Sequence, residues 1–255
     1  MAKSVIVEVC VDSVASAVAA ERGGAARVEL CSDLLEGGIT PSAGLIDTTR
    51  SRISIGLNPI IRPRPGDFCY SEEEIETMCR DIETAKELGA DGVVLGILDT
   101  DGNVDVERTR HLVELARPLS VTFHRAFDMS SDLQRALESV CETGADRILT
   151  SGGEQTCLEG MDAISSLVKS AGQRIRVMAG GAISHKDAPT IVERTGVREI
   201  HVGLSSSVAS PMFYRNPKVS ISRVLGREYE RVQVLEEDVR TLHRAISHAD
   251  PSRAR

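Results

Sequence analysis

The chain contains no tryptophan, and aromatic residues make up 3% of its 255 positions. Without stacking platforms, and with a formal net charge of -8, it lacks both the π-surface and the positive field that nucleic-acid binding uses. No nucleic-acid partner is expected. The six cysteines, Cys10, Cys31, Cys69, Cys79, Cys141 and Cys157, include no C-x-x-C pair. That argues against a zinc ribbon or a disulfide scaffold and fits reduced thiols. No apolar run approaches membrane-spanning length, and Met1-Ala2-Lys3-Ser4 leads straight into a short apolar strand with no charged leader. A cytoplasmic protein with no membrane partner is expected. The first strand is not followed by G-x-G-x-x-G, so there is no nucleotide cofactor signal.

What is present is a regular alternation. β-rich runs at 5–11, 27–31, 58–62, 92–95, 120–123, 147–150, 174–179 and 199–202 predict eight strands. Helical patterns at 13–22, 44–50, 71–88, 104–116, 132–143, 157–170 and 184–194 fall between them. Eight strand-helix units predict an α/β fold, a (β/α)8 TIM-type barrel, with the chain 1–255 as a single domain. Residues 203–226 read as a long polar loop leaving the carboxyl end of the eighth strand, where a lid would stand. At 227–248, Val232, Leu235, Val239, Leu242 and Ile246 recur in three- and four-residue steps, which predicts a C-terminal packing helix. The tail 251–255 is expected to fray.

In a closed barrel the polar minority phase of each strand points inward, while the apolar phase meets the helices. This places Glu8 and Cys10 inside from strand one, Arg27, Glu29 and Cys31 from strand two, and Thr122 and His124 from strand five. Strand eight adds Glu199 and His201. In Ile61-Arg62-Pro63-Arg64-Pro65, each arginine precedes a proline, which favours extended geometry, so Arg62 and Arg64 are expected to face the same side as one wall of a site. Glu8 and Glu29 occupy matching positions on neighbouring strands. Such a carboxylate pair suits acid/base catalysis with His124 assisting, or else it neutralises the arginines. Cys10 and Cys31, two residues further along, could grip a soft ion such as Cu(I), or be buried apolar residues. The turns carrying Ser151 and Gly152, and Gly180 and Gly181, with Ser205 beyond strand eight, could cradle an anion as barrels often do there.

The runs VEVCVDSV (7–14), VELCSDLLEGGITPS (28–42), IRPRPGDFCYSEEEIETM (61–78), VTFHRAFD (121–128), ILTSGG (148–153) and VMAGGAI (177–183) closely resemble the CutC copper homeostasis family over nearly the whole chain. The resemblance implies a cytoplasmic (β/α)8 barrel, commonly a homo-oligomer, linked to copper handling. It also implies Cu(I) binding through cysteines that match Cys10 and Cys31. Ala182 stands where the family often has a third glycine, which narrows the anion turn. Two functions remain in view. One is copper homeostasis through the cysteine pair. The other is a barrel enzyme doing acid/base chemistry on a small anionic metabolite, a phosphate or a carboxylate.

Overall fold

The computed structural model describes residues 5–221 and 228–248. Eight parallel strands form one sheet: β1 (Ile6–Val11), β2 (Arg27–Leu30), β3 (Gly56–Pro59), β4 (Gly92–Leu95), β5 (Ser120–Phe123), β6 (Arg147–Thr150), β7 (Arg176–Gly180) and β8 (Glu199–Val202). Their order is β3-β2-β1-β8-β7-β6-β5-β4. The ring closes where Ile60 bridges Val94 and the Ile61 N–H donates to the Val94 carbonyl at 2.7 Å. The helices are α1 (Val14–Gly23), α2 (Ala43–Arg50), α3 (Glu72–Glu87), α4 (Val106–Ala116), α5 (Leu133–Thr143), α6 (Met161–Ala171), α7 (Ala188–Thr195) and α8 (Glu236–His248). This is the (β/α)8 barrel that the alternation predicts.

Local chemistry sets the helix starts. Ser13 Oγ accepts from the Ser16 N–H, and at α3 Ser71 and Glu74 form a reciprocal capping box. The outward phase then packs. Val7, Val9, Val28, Leu57, Val93 and Val121 are buried under the helices, each worth about 1.5–3 kcal/mol of hydrophobic stabilisation before entropy is counted.

Several boundaries differ from expectation. β3 ends at Pro59, so Arg62 and Arg64 lie in the segment that follows and do not share a strand face. The proline pattern signalled extended backbone, but extended backbone need not join a ladder. α6 starts at Met161 and α7 at Ala188, because turns occupy the first residues of both predicted helices. The largest difference follows β8. Ser206–Ala209 (β9) pairs antiparallel with Glu230–Gln233 (β10), so part of the predicted loop is a hairpin strand, and α8 begins only at Glu236. Val232 belongs to β10 and Leu235 is 41% exposed, whereas Val239, Leu242 and Ile246 are buried against the barrel. Arg227, where the last helix was expected to start, and the tail 251–255 lie outside the described residues. No helix among the described residues is long and apolar enough to cross a membrane.

Candidate functional site

Alternation puts charge inside the barrel, and register decides who meets whom. β1 and β2 pair with Glu8 level with Arg27, and Cys10 level with Glu29. The two glutamates are therefore offset by one inward step and do not stand opposite each other, as the strand patterns had suggested. Glu8 lies deeper and is fully buried, accepting from Arg27 Nε and lying 2.8 Å from His201 Nδ1. Arg27 also donates to Glu199 at 2.5 Å, and Glu199 accepts from Arg147 Nε at 2.5 Å. These residues form a buried chain of alternating charge across the barrel floor. Burial opposes the charge on Glu8, but the His201 hydrogen bond and the Arg27 guanidinium hold its pKa at about 2.

One step nearer the mouth lie the sulfurs. Cys10 Sγ and Cys31 Sγ are 3.7 Å apart, Cys31 Sγ is 3.6 Å from a Glu29 carboxylate oxygen, and His201 Nε2 is 3.7 Å from the same oxygen. Among the described residues, Cys10, Glu29 and Cys31 bring potential ligand atoms within 4.8 Å of one another. The contact with Cys31 draws the Cys10 thiol down to about 5 against burial, with His201 assisting. The same contact, reinforced by burial, pushes Cys31 well above the ordinary thiol range. Burial and the neighbouring Cys10 charge push Glu29 up. For His201, burial works against the charged form, yet Glu29, Cys10 and Glu8 hold it well above the ordinary imidazole value. The two sulfurs are thus pulled in opposite directions, Cys10 down and Cys31 up, while Glu29 and His201 both shift upward.

Above these residues opens a cavity of about 1230 Å³ at the carboxyl ends of the strands. Cys10, Glu29 and His201 form part of its lining, with Arg62, Phe68, His124, Arg125, Gly181, Ala182 and Ser205 on other walls. The hairpin contributes Val232, Gln233 and Val234.

The remaining sequence candidates are placed as follows. Arg64 is spent on Glu74 at 2.5 Å and Asp67 at 3.0 Å. Arg62 has no carboxylate partner among the described residues. Its guanidinium donates to the carbonyls of Glu36, Gly38 and Gly66 and stacks 5.1 Å from the Phe68 ring centroid, leaving Nε buried without a partner. His124 accepts the Ala126 N–H at Nδ1, which leaves the proton on Nε2, and that nitrogen is also buried without a partner. Burial and then Arg62 lower the His124 pKa to about 3, so it is neutral. The turn after β6 already holds a carboxylate: Asp128 accepts from the N–H and Oγ of Ser151, the Gly153 N–H and Thr150 Oγ1. A Cβ on Gly152 would lie 2.5 Å from the Gly160 oxygen, and one on Gly180 would lie 2.5 Å from Leu149 Cδ1, so both glycines permit close packing. Sequence reasoning did not single out His201, the group that joins both glutamates, although its inward phase was visible. Phe68 carried no signal.

Comparison with known proteins bears on the family and the fold. The CutC family model matches residues 5–206. The chain is 48% identical to the copper homeostasis protein cutC homolog of Mus musculus over 239 residues, 93% of this chain and 88% of the mouse one. It is 46% identical to the human homolog over 95% of this chain and 89% of that one. A crystal structure of a putative copper homeostasis protein CutC from Streptococcus agalactiae, 33% identical, superposes with a TM-score of 0.73 over 77% of this chain and 97% of its own. A thiamine phosphate pyrophosphorylase from Pyrococcus furiosus, 19% identical with a TM-score of 0.57 over 96% of this chain and 97% of its own, shares the fold.

Proposed function

The chain belongs to the CutC family, and from that premise we propose that it is a cytoplasmic copper homeostasis protein that takes Cu(I) as its cargo between Cys10 and Cys31. The observation that carries this reading is the sulfur pair, 3.7 Å apart beside the cavity floor. Thiolates are soft donors that select Cu(I), and two sulfurs at that separation can both reach one ion through bonds of about 2.3 Å, taking the zinc-thiolate length as a scale. A carboxylate is a poor partner for so soft an ion. Glu29 is better placed to handle protons, because loading a metal on thiols releases them, and Glu29 and His201 stand next to the sulfurs. Glu8 orients His201 from beneath. The homo-oligomer that the resemblance implies draws support from the exposed apolar residues Met212, Phe213, Tyr214 and Ile221 on the segment between β9 and β10. Anaerobic Cu(I) titration against a competing chelator tests the cargo. Wild type should bind one ion per chain, and the Cys10→Ser, Cys31→Ser double variant should lose it. Equal binding in that variant would sink the reading.

A second reading is an enzyme of acid/base type on a small anionic metabolite. Arg62 favours it, as a buried guanidinium with no carboxylate partner among the described residues beside a cavity of about 1230 Å³. Glu29 and His201 would move the proton, His124 would assist from the far wall, and Arg62, Gly181 and Ser205 would hold the anion. Arg64, Ser151, Gly152 and Gly180 would support those walls. A thermal-shift screen of phosphorylated and carboxylated metabolites that yields no stabilising compound would remove this reading.

A further inference from the structure

The two sulfurs that would hold copper have different surroundings. Cys10 lines the cavity, whereas Cys31 is fully buried and is not among the lining residues. What covers Cys31 is the loop between β2 and α2. Ser32 and Ile39 close the base of this loop by exchanging two backbone hydrogen bonds, of 2.9 and 2.8 Å. Its tip folds back onto the sulfur. Gly38 has φ +89, and a Cβ built on it would lie 3.0 Å from Cys31 Sγ, so the backbone sits as close to the sulfur as the lack of a side chain permits. Ile60 and Val94 pack against the same cysteine.

Little apolar surface holds that tip down. Leu35 is 66% exposed, and Glu36 and Gly37 are exposed beside it. The Asp33 carbonyl accepts the Glu36 and Gly38 N–H groups, which shapes the turn without tying it to the barrel. The ties come from Arg62. Its Nη1 donates to the Glu36 carbonyl at 2.7 Å and to the Gly38 carbonyl at 2.9 Å, while Nη2 donates to the Gly66 carbonyl at 2.9 Å. One guanidinium thus joins the loop to the segment that follows β3. The Arg62 backbone adds to the grip: its N–H donates to Thr40 Oγ1 at 2.9 Å, and its carbonyl accepts the Thr40 N–H at 3.0 Å. Burying a guanidinium is costly, and here three charge-assisted hydrogen bonds and the Phe68 ring face offset that cost.

We infer that Arg62 is a positioning residue for copper, holding the loop 32–39 over Cys31 so that its sulfur stays toward Cys10 and the ion reaches it from the Cys10 side alone. The role in copper binding rests on the copper reading, whereas the clamp itself can be measured without copper. It gives the buried guanidinium a task that needs no anion in the cavity.

Anaerobic alkylation of the metal-free full chain with iodoacetamide, followed peptide by peptide in a mass spectrometer, tests the clamp. In wild type Cys10 should react and Cys31 should resist. Arg62→Gln should speed Cys31 at least tenfold and leave Cys157, fully buried between β6 and α6, at its wild-type rate, because a local opening frees one cysteine and a global one frees both. Arg50→Gln is the control: Arg50 also donates to two carbonyls, of Ile53 and Ile55, and to Asp91 at the amino ends of the strands, so Cys31 should keep its wild-type rate there. Release of Cu(I) to excess chelator should be at least tenfold faster from Arg62→Gln than from wild type. Should that variant fail to fold, Arg62→Lys, which keeps the charge and loses the planar fork, is read in the same way. Cys31 and Cys157 speeding up together, an unchanged Cys31 rate, or unchanged copper release overturns the inference and leaves the copper reading standing. Wild type that binds no copper sinks the copper reading, and the alkylation rates then decide the clamp by themselves.

Discussion

Two residues hold conformations or charge states that a substitution can test. Ala182 has φ +54, in the left-handed region where an L side chain costs about 1–2 kcal/mol. Ala182→Gly removes that cost but loosens the unfolded chain by about 0.4–1 kcal/mol, leaving a net stabilisation near 1 kcal/mol or slightly less. A urea midpoint that falls would contradict this. His124 makes a pH prediction. Its pKa drops from 6.5 to about 3 on folding, so below pH 6.5 the unfolded chain binds a proton that the native state refuses until near pH 3. Its contribution is complete above pH 6.5 and is lost as pH falls toward 3, about 1.4 kcal/mol for each unit well inside that window. His124→Asn should flatten the stability profile between pH 6.5 and about 5, above the range where most carboxylates titrate; a profile that stays as steep would refute the assignment. The inward phase of Glu8, Cys10, Glu29 and His201 was legible in the sequence because alternation is a property of each strand alone. Their pairing was not legible, because the offset between β1 and β2 is set by how the barrel shears. The same limit applies to Arg62 and Arg64, two residues apart: Arg64 finds Glu74 on α3, while Arg62 reaches three carbonyls.

Elements were readable where the sequence repeats a simple signal. β4, β5, β6 and β8 fall on the expected residues because short β-branched runs sit between capped helices. The hairpin β9–β10 escaped because Ser206–Ala209 is short, polar and half exposed, and its partner arrives more than twenty residues later. Val232 fits a helical spacing by chance, which carried the predicted helix through β10. α8 shows what a correct stripe does once its start is corrected. It lies against α1, where a Cβ added to Gly23 would meet Val239 Cβ at 2.4 Å and the Glu236 carbonyl oxygen at 2.9 Å. Backbone on one side and a β-branched side chain on the other cannot yield cheaply. Gly23→Ala should therefore cost about 1–3 kcal/mol by overpacking, despite the better helix propensity of alanine. Urea denaturation measures it, and an unchanged midpoint would mean that α8 floats on the barrel.

At the scale of the whole molecule, ligand binding and folding share one equilibrium. The sulfurs converge only when β1 and β2 pair, so Cu(I) on Cys10 and Cys31 selects the folded barrel. At a hundredfold excess over the dissociation constant, a ligand that binds only the native state adds about 2.7 kcal/mol, or roughly 5–10 °C in Tm for a chain of this size. The unfolded chain competes, however, because it frees all six thiols. That competition gives the prediction its sign. Wild type should show a rise smaller than the limit. In the Cys10→Ser, Cys31→Ser variant the native pair is gone, while Cys69, Cys79, Cys141 and Cys157 remain to be released on unfolding, with Cys157 fully buried until then. Copper now favours the unfolded state, and Tm should fall. Differential scanning calorimetry under reducing, anaerobic conditions reads both signs in one series. A rise of equal size in the two proteins would place the ion somewhere other than the barrel mouth.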